Sequence, residues 1–230
     1  MKQMSKFFNH ENLWFVAIFT VLGLIALQVP FTKLVGSQVK FTLFDFFGPI
    51  ATGFIGLIPG VVSVFLMQFV NFLIHGAEVI DVGTVIRFFP MLFAAAYFGK
   101  KASWNIVVPA IAIAAFIANP IGRQAWYFSL YWLIPIIMYF YRDKFLLARS
   151  LGATFTAHAV GGAAWVWAFG LTKEIWIGLI PIVAMERLLM AVGISVSYVV
   201  VSNVLAYLLK KKIISLPFNL DSKYLLKPVQ

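Results

Sequence analysis

Residues 46–74 read FFGPIATGFIGLIPGVVSVFLMQFVNFLI, a run of 29 residues without a charged side chain. A bilayer core about 30 Å thick is spanned by ~20 apolar residues in a helix. The run is therefore too long for one pass, and Pro59-Gly60 interrupts it. The stretch predicts two membrane passes joined by a tight turn at Pro59-Gly60.

The composition of the whole chain agrees with this interpretation. Of its 230 residues, 62% are hydrophobic and 11% are charged, whereas soluble domains carry about 25% charged residues. This leaves no room for a soluble catalytic domain. The net charge of +10 lies in loops and tails, where membrane topology explains it, so we expect no nucleic-acid partner. The chain has no cysteine, which excludes disulfides and thiolate metal sites.

The sequence predicts an all-α, polytopic transmembrane helix bundle with 6–8 membrane segments, some of them short, kinked or re-entrant. We expect a cytoplasmic N-terminal segment (1–12), a transmembrane domain (13–209) and a cytoplasmic tail (210–230) that is loose or lies on the membrane surface. The last apolar segment is long enough that it must tilt, break near Pro181 or continue into the cytoplasm. The predicted apolar segments are 13–29, 41–57, 59–75, 84–98, 104–118, 125–141, 151–170 and 175–209.

Loop charges predict the orientation. With the N-terminus inside and eight passes, twelve Lys and Arg residues fall on the inner side and four on the outer side. Positive residues accumulate on the cytoplasmic side of membrane proteins. We therefore expect an N-in, C-in protein of the cytoplasmic membrane of a prokaryote. Six passes with one re-entrant pair fit the charges equally well.

Four polar residues are predicted to share the outer ends of segments two to four: Asp45, Asn71, His75 and Arg87. Ionisable groups inside a bilayer usually face a cavity or a partner. These residues therefore indicate an outward-facing substrate pocket. A structural Asp45–Arg87 ion pair near the headgroups is the alternative.

His158 and Glu186 are expected near the bilayer midplane. A His–Glu pair there can hold a proton, a cation or a polar ligand. The alternative is that Glu186 is neutralised locally by its neighbour Arg187. Trp165 and Trp167 lie near the outer interface, where one is expected to anchor the helix and Trp165 to stack on a planar ligand.

Small residues suggest a helix-packing surface. Ala17, Thr20 and Gly23 recur at i, i+3 and i+6 of the first segment, a pattern that permits close helix contact. This face packs either inside the chain or against a partner subunit.

No HExxH, GxSxG or Walker sequence is found, so we expect no metal and no cofactor, and no ATP-binding element in this chain.

Residues 41–101 resemble the substrate-binding (S) components of energy-coupling factor (ECF) transporters. The resemblance lies in LFDFFGPIATGFIGLIPGVVSVFLMQFVNFLIHG followed by RFFPMLFAAAYFGKK. It consists of a Gly-Pro step, a glycine-rich pair of helices, and an arginine-containing helix that ends in Gly and basic residues. The matching positions are Gly48, Pro49, Gly53, Gly56, Gly60, Arg87, Pro90, Gly99 and Lys100.

The resemblance implies capture of a vitamin or similar micronutrient in an outward-facing pocket. It also implies docking, through small residues of the first helix, on a transmembrane coupling subunit driven by two ATPases. A proton-coupled secondary transporter that uses His158 and Glu186 is an alternative. So are an integral-membrane enzyme on a lipid-soluble substrate, with the same two residues as acid and base, and a non-catalytic scaffold.

Overall fold

The computed structural model describes residues 10–33, 40–76, 80–216 and 218–226. Most of the predicted N-terminal segment (1–12) lies outside these ranges. The helices are α1 (His10–Leu27), α2 (Phe44–Phe47), α3 (Ala51–Ile55), α4 (Leu57–His75), α5 (Val82–Gly99), α6 (Trp104–Ala118), α7 (Pro120–Gln124), α8 (Leu133–Tyr141), α9 (Leu146–Ala168) and α10 (Lys173–Lys210). Three 3-10 turns, Gly48–Ile50, Trp126–Trp132 and Ser222–Tyr224, and an antiparallel hairpin of β1 (Pro30–Lys33) with β2 (Lys40–Thr42) complete the described chain.

Each of the eight predicted apolar segments coincides with helical structure, so the all-α prediction is confirmed. α4, α5 and α10 are long and apolar enough to cross a membrane. Shorter apolar helices cover Trp14–Leu27, Phe44–Ile55, Trp104–Ala118 and Trp126–Tyr141. The structure is thus a helical protein with membrane-compatible helices, and the number of full passes stays a prediction.

The turn between the second and third predicted segments, 41–57 and 59–75, is at Gly56, and its predicted position at Pro59-Gly60 is wrong. Gly56 has φ +83° and ψ 173°, a backbone conformation that glycine adopts without a Cβ clash. Pro59 lies in the first turn of α4, where the missing N–H has no helical partner to lose. Gly60 then packs directly on the backbone of Thr52.

The last helix is continuous. α10 runs for 38 residues with Pro181 inside it, about 57 Å at 1.5 Å per residue. Of the three possibilities left by the sequence, a break at Pro181 is therefore excluded. The helix is longer than the ~30 Å core of a bilayer, so tilt and extension into the cytoplasm stay the two predicted alternatives.

The helix α9 lies at the centre of the packing and contacts α5, α6, α8 and α10. Twelve of its residues are buried, and most of these are Ala, Gly, Thr or Ser. Gly152 lies against the ring of Tyr97 and Gly162 against Trp132. Small side chains thus let large aromatic rings from the neighbouring helices approach the α9 backbone.

Basic residues collect at one end of the bundle. Arg142 and Arg149 both donate to the carbonyl of Phe98, in the last turn of α5. Cations at this position complement the negative end of the helix dipole. Lys101 forms a 3.3 Å ion pair with Asp143. This end is defined here as the basic end.

The C-terminal tail packs back onto the basic end, so the expectation of a loose tail is wrong for residues 218–226, and its place at the membrane surface stays a prediction. Phe218 and Tyr224 contact the buried core. Asn203 of α10 donates to the carbonyl of Tyr224 and accepts from the amide of Leu226. Lys223 donates to two carbonyls of the α8–α9 loop. Because aromatic rings and backbone groups find partners there, the tail is held in place.

Gly60→Ala should destabilise the α3–α4 crossing. The new Cβ would lie 2.5 Å from the Thr52 Cα, and backbone cannot rotate away as a side chain can. We expect a loss of about 1–3 kcal/mol, measured as a lower melting temperature in detergent. Gly178→Ala in α10 is the control, since nothing lies within 4 Å of a Cβ there. Equal melting temperatures for the two variants would contradict this packing.

Asp81 should give the start of α5 a pH-dependent stability. Its carboxylate accepts from the amide of Thr84 at 2.7 Å and from the Thr84 hydroxyl at 2.8 Å. These hydrogen bonds lower the pKa of Asp81 from its ordinary value of 3.8. The contribution is therefore present above about pH 4 and is lost as the pH falls through the lowered pKa.

Asp81→Ala should accordingly lower the melting temperature at pH 7, with a smaller loss as the pH falls below 4. Asp81→Asn keeps a capping oxygen without a titrating group, so it should lose less than Asp81→Ala at pH 7, and its difference from the unmodified protein should shrink over the same pH range. A loss from Asp81→Ala that stays constant down to pH 3 would refute the cap.

Candidate functional site

A cavity of about 740 Å³ lies between α4, α5, α9, α10 and the segment 41–49. Its lining residues follow helical spacing: in α9 they include Thr154, His158, Gly161 and Trp165, three or four residues apart. Such residues share one helix face. The volume is within the range of ~300–1,000 Å³ typical of small-molecule pockets. We call this space the central cavity.

Arg187 of α10 is the buried charge of the central cavity, with 9% of its surface exposed. Its Nη2 lies 3.8 Å from Glu186 Oε2, and its Nη1 lies 3.4 Å from the Thr154 hydroxyl. The guanidinium is 5.1 Å from the centre of the Phe41 ring. The alternative in which Arg187 neutralises Glu186 locally is therefore the arrangement observed.

Asp45 interacts with Arg187 and not with Arg87. Its Oδ2 accepts from the amide of Thr42 at 2.8 Å, and its carboxylate interacts electrostatically with Arg187. The predicted alternative of an Asp45–Arg87 ion pair is wrong, since no such pair occurs among the described residues. Arg87 is exposed and interacts with Asp81 instead.

His158 is held by an indole. The Trp132 Nε1 donates to His158 Nδ1 at 3.0 Å, and the ring of Phe128 lies 5.4 Å away, centre to centre. An indole N–H is only a donor, so Nδ1 carries no proton and Nε2 does. No His158–Glu186 hydrogen bond is present in the described chain, so the predicted pair does not form.

Three of the four predicted outer residues, Asp45, Asn71 and Arg87, line the central cavity, together with Gln68. Arg87 is also exposed, so the cavity reaches the surface beside it, at a place that we call the mouth. Asn71 Oδ1 accepts from the Gln28 amide at 2.8 Å. His75, in contrast, is exposed and does not line the cavity; its Nδ1 is 3.0 Å from the Asn71 carbonyl, one turn back.

Trp165 lines the central cavity, as expected for a stacking wall. Trp167 is 59% exposed and donates to the Ala115 carbonyl at 2.9 Å, which suits an anchor. Sequence reasoning missed Trp176 and the central place of Arg187. The sequence does indicate that these residues share one face of α10. Trp176, Val183, Arg187 and Met190 follow one another at intervals of seven, four and three residues, which is helical spacing.

The small-residue face of α1 is largely used inside the chain. Thr20 shares a 3.0 Å hydrogen bond with Ser63 of α4. Gly23 packs on Met67 of the same helix. Only Ala17 of the three is exposed. Internal packing thus accounts for Thr20 and Gly23, and docking through Ala17 stays a prediction.

The comparisons with known proteins give no match. No protein-family model, curated protein or solved structure matches this chain. The resemblance to S components therefore rests on residues 41–101 alone.

Within the described ranges, no group of three His, Asp or Glu side chains is placed to hold a metal ion. Hydrogen bonding and stacking are what the central cavity offers to a ligand.

The imidazole tautomer is a direct check on this site. In protein labelled with ¹⁵N-histidine, His158 should show a protonated Nε2 and an unprotonated Nδ1 at neutral pH, because Trp132 occupies Nδ1. Trp132→Phe should give a mixture of tautomers. His158→Gln assigns the signal among the three histidines. A predominantly Nδ1-protonated His158 in the unmodified protein would contradict the observed hydrogen bond.

Proposed function

We propose that this chain captures a small polar organic molecule, of the vitamin or micronutrient class, in the central cavity for uptake across a membrane. One observation carries this proposal. Polar side chains from positions 45 to 187, far apart in sequence, line one cavity inside an apolar helical bundle. Polar groups inside a membrane protein are costly and usually serve a ligand or an ion.

The distribution of charge supports the proposed orientation. The mouth of the central cavity, with Asn71 and Arg87, lies at the end of α4 and the start of α5. The basic end, with Arg142 and Arg149, lies at the opposite end of α5. Under the positive-inside rule the mouth faces outward. The protein is then N-in and C-in, in the cytoplasmic membrane of a prokaryote.

Energy for uptake would come from a separate module. The sequence has no Walker loop, which fits a substrate-capture subunit that works with a transmembrane coupling subunit and ATPases. Residues Trp14, Ile18, Val21 and Ile25 give α1 an exposed apolar surface beside Ala17. This surface suits either lipid or such a partner.

Neither the proton-coupled carrier nor the enzyme gains support from the geometry. Both alternatives use His158 and Glu186 as a working pair. The nitrogen His158 Nδ1 is taken by Trp132, and Glu186 contacts Arg187. Ligand capture requires no such pair.

Mass spectrometry of small molecules released from gently purified protein should detect a bound polar organic compound, and a thermal-shift screen of vitamins and nucleobases should identify its class. Gly161→Leu should abolish both signals. A Cβ at Gly161 meets only Pro90, at 3.5 Å, so the side chain can enter the cavity without a backbone clash. Gly178→Leu is the control, because it adds the same side chain where nothing lies within 4 Å.

An empty protein without any thermal response would count against capture. Uptake into vesicles that lack ATPase subunits, driven by a pH gradient and abolished by Glu186→Gln, would favour the proton-coupled carrier instead. Product formation from lipid extracts would favour the enzyme.

A further inference from the structure

The inner part of the central cavity leaves Arg187 short of hydrogen-bond partners. Its Nε is buried and has no partner among the described residues. The contact of Nη1 with Thr154 is 3.4 Å long, and the contact of Nη2 with Glu186 is 3.8 Å. Good charge-assisted hydrogen bonds are about 2.7–2.9 Å long. A guanidinium with five N–H donors therefore lines a cavity with most of its bonding capacity unused.

The acceptors beside Arg187 are also incompletely used. Glu186 has 13% of its side chain exposed, and its approach to Arg187 is longer than a hydrogen bond. Asp45 takes one hydrogen bond, from the Thr42 amide. A carboxylate that is removed from water and meets too few hydrogen-bond donors in the protein does not recover the hydrogen bonds that it made to water. The cavity thus presents both unused donors and unused acceptors to whatever enters it.

The formal charge of the cavity residues decides which ligands can satisfy these unused donors and acceptors. Asp45 and Glu186 are the two carboxylates that line the cavity and interact electrostatically with Arg187, so the three groups together carry one formal negative charge. His158 adds an Nε2–H donor, since Trp132 occupies Nδ1. Arg87 does not alter this balance, because it is exposed at the mouth and interacts with Asp81. A carboxylate or phosphate would reach Arg187 only against two like charges.

Aromatic rings restrict the shape of the ligand. Phe128 and Trp176 line the cavity together with Phe41, over which Arg187 is placed. Faces of this kind stack on flat, conjugated rings. The polar and aromatic groups together suit a planar ligand that offers donors and an acceptor at one edge.

We propose that the inner end of the central cavity binds a planar, amide- or amidine-like nitrogen group of its ligand and rejects a carboxylate. Ring N–H or NH₂ groups would donate to Asp45 and Glu186. In an amide, the carbonyl oxygen on the same edge would receive Arg187 Nε–H or His158 Nε2–H; a protonated amidine carries donors only and would bind through the two carboxylates. This inference rests on the proposed function, because it names the ligand class of the same site.

Three probes of nearly equal shape test it: benzamide, benzamidine and benzoate. We expect benzamide and benzamidine to raise the melting temperature of the full chain and to bind at least about tenfold more tightly than benzoate in calorimetry. A site built to receive donors discriminates strongly against a ligand that lacks them. Gly161→Leu should abolish binding and so place the probes in the central cavity.

The Asp45→Asn, Glu186→Gln double variant should reverse the preference. Arg187 is then the unopposed charge of the inner cavity, and benzoate should become the tightest of the three probes. This gain of binding cannot come from misfolding. Glu174→Gln is the matched control, because Glu174 is exposed at the start of the same helix and does not line the cavity. It should leave the order of the probes unchanged.

Three results would overturn the inference. They are benzoate binding at least as well as benzamide to the unmodified protein, no binding of any probe at millimolar concentration, and an unchanged preference in the double variant. Failure of the probes while a natural compound copurifies would remove this inference alone. Probe binding without any copurified or transported compound would refute the uptake function, while the preference for an amide or amidine over a carboxylate would still hold.

Discussion

A guanidinium buried inside an apolar bundle is the constraint on which the rest of this structure depends. Arg187 cannot leave water without partners, because an isolated buried charge costs several kcal/mol. The chain supplies Glu186 from the next position, Asp45 from the segment after β2, and Thr154 from α9. Three separate parts of the sequence are thereby fixed around one side chain.

Small residues make this arrangement possible. In α9, glycines at 152 and 162 let Tyr97 and Trp132 lie against the helix backbone. Trp132, held there, takes the Nδ1 of His158 and so fixes the orientation of the imidazole. The same helix turns Thr154, Gly161 and other small residues toward the central cavity. Close packing on one side of α9 thus leaves open space on another.

Much of the fold could be predicted from hydropathy alone. All eight apolar segments coincide with helical structure, since a helix satisfies the backbone hydrogen bonds of a long apolar run internally. Hydropathy did not predict the position of the turn or the packing of the tail, because individual residues decide both. The turn moved from Pro59-Gly60 to Gly56 because proline is tolerated in a first helical turn and Gly56 can take a positive φ. The tail was misjudged because its few aromatic anchors, Phe218 and Tyr224, are sparse in the sequence.

The sequence predicted most residues that line the central cavity, but not which of them interact with each other. Asp45, Asn71, Arg87, His158, Trp165 and Glu186 all line the central cavity. The pairs were wrong because helix rotation and depth, which decide partners, are not readable from segment ends. Asp45 interacts with Arg187, and nothing in the sequence near either residue marks the other as its partner. His75 missed the cavity because it lies at the exposed end of α4.

The central claim is that a water-accessible cavity, with polar side chains in its largely apolar lining, opens from this bundle to the outside. The chain has no cysteine, so single cysteines can test it without background. Leu179→Cys places a thiol on the cavity lining, and Leu188→Cys places one on a surface of the same helix that is 54% exposed and outside the cavity. Thiols react as thiolates and need water.

A membrane-impermeant methanethiosulfonate reagent applied to intact cells should modify Leu179→Cys much faster than Leu188→Cys, and a bound ligand should protect the first. Equal rates for the two variants, or modification of Leu179→Cys only after the cells are permeabilised, would contradict the account.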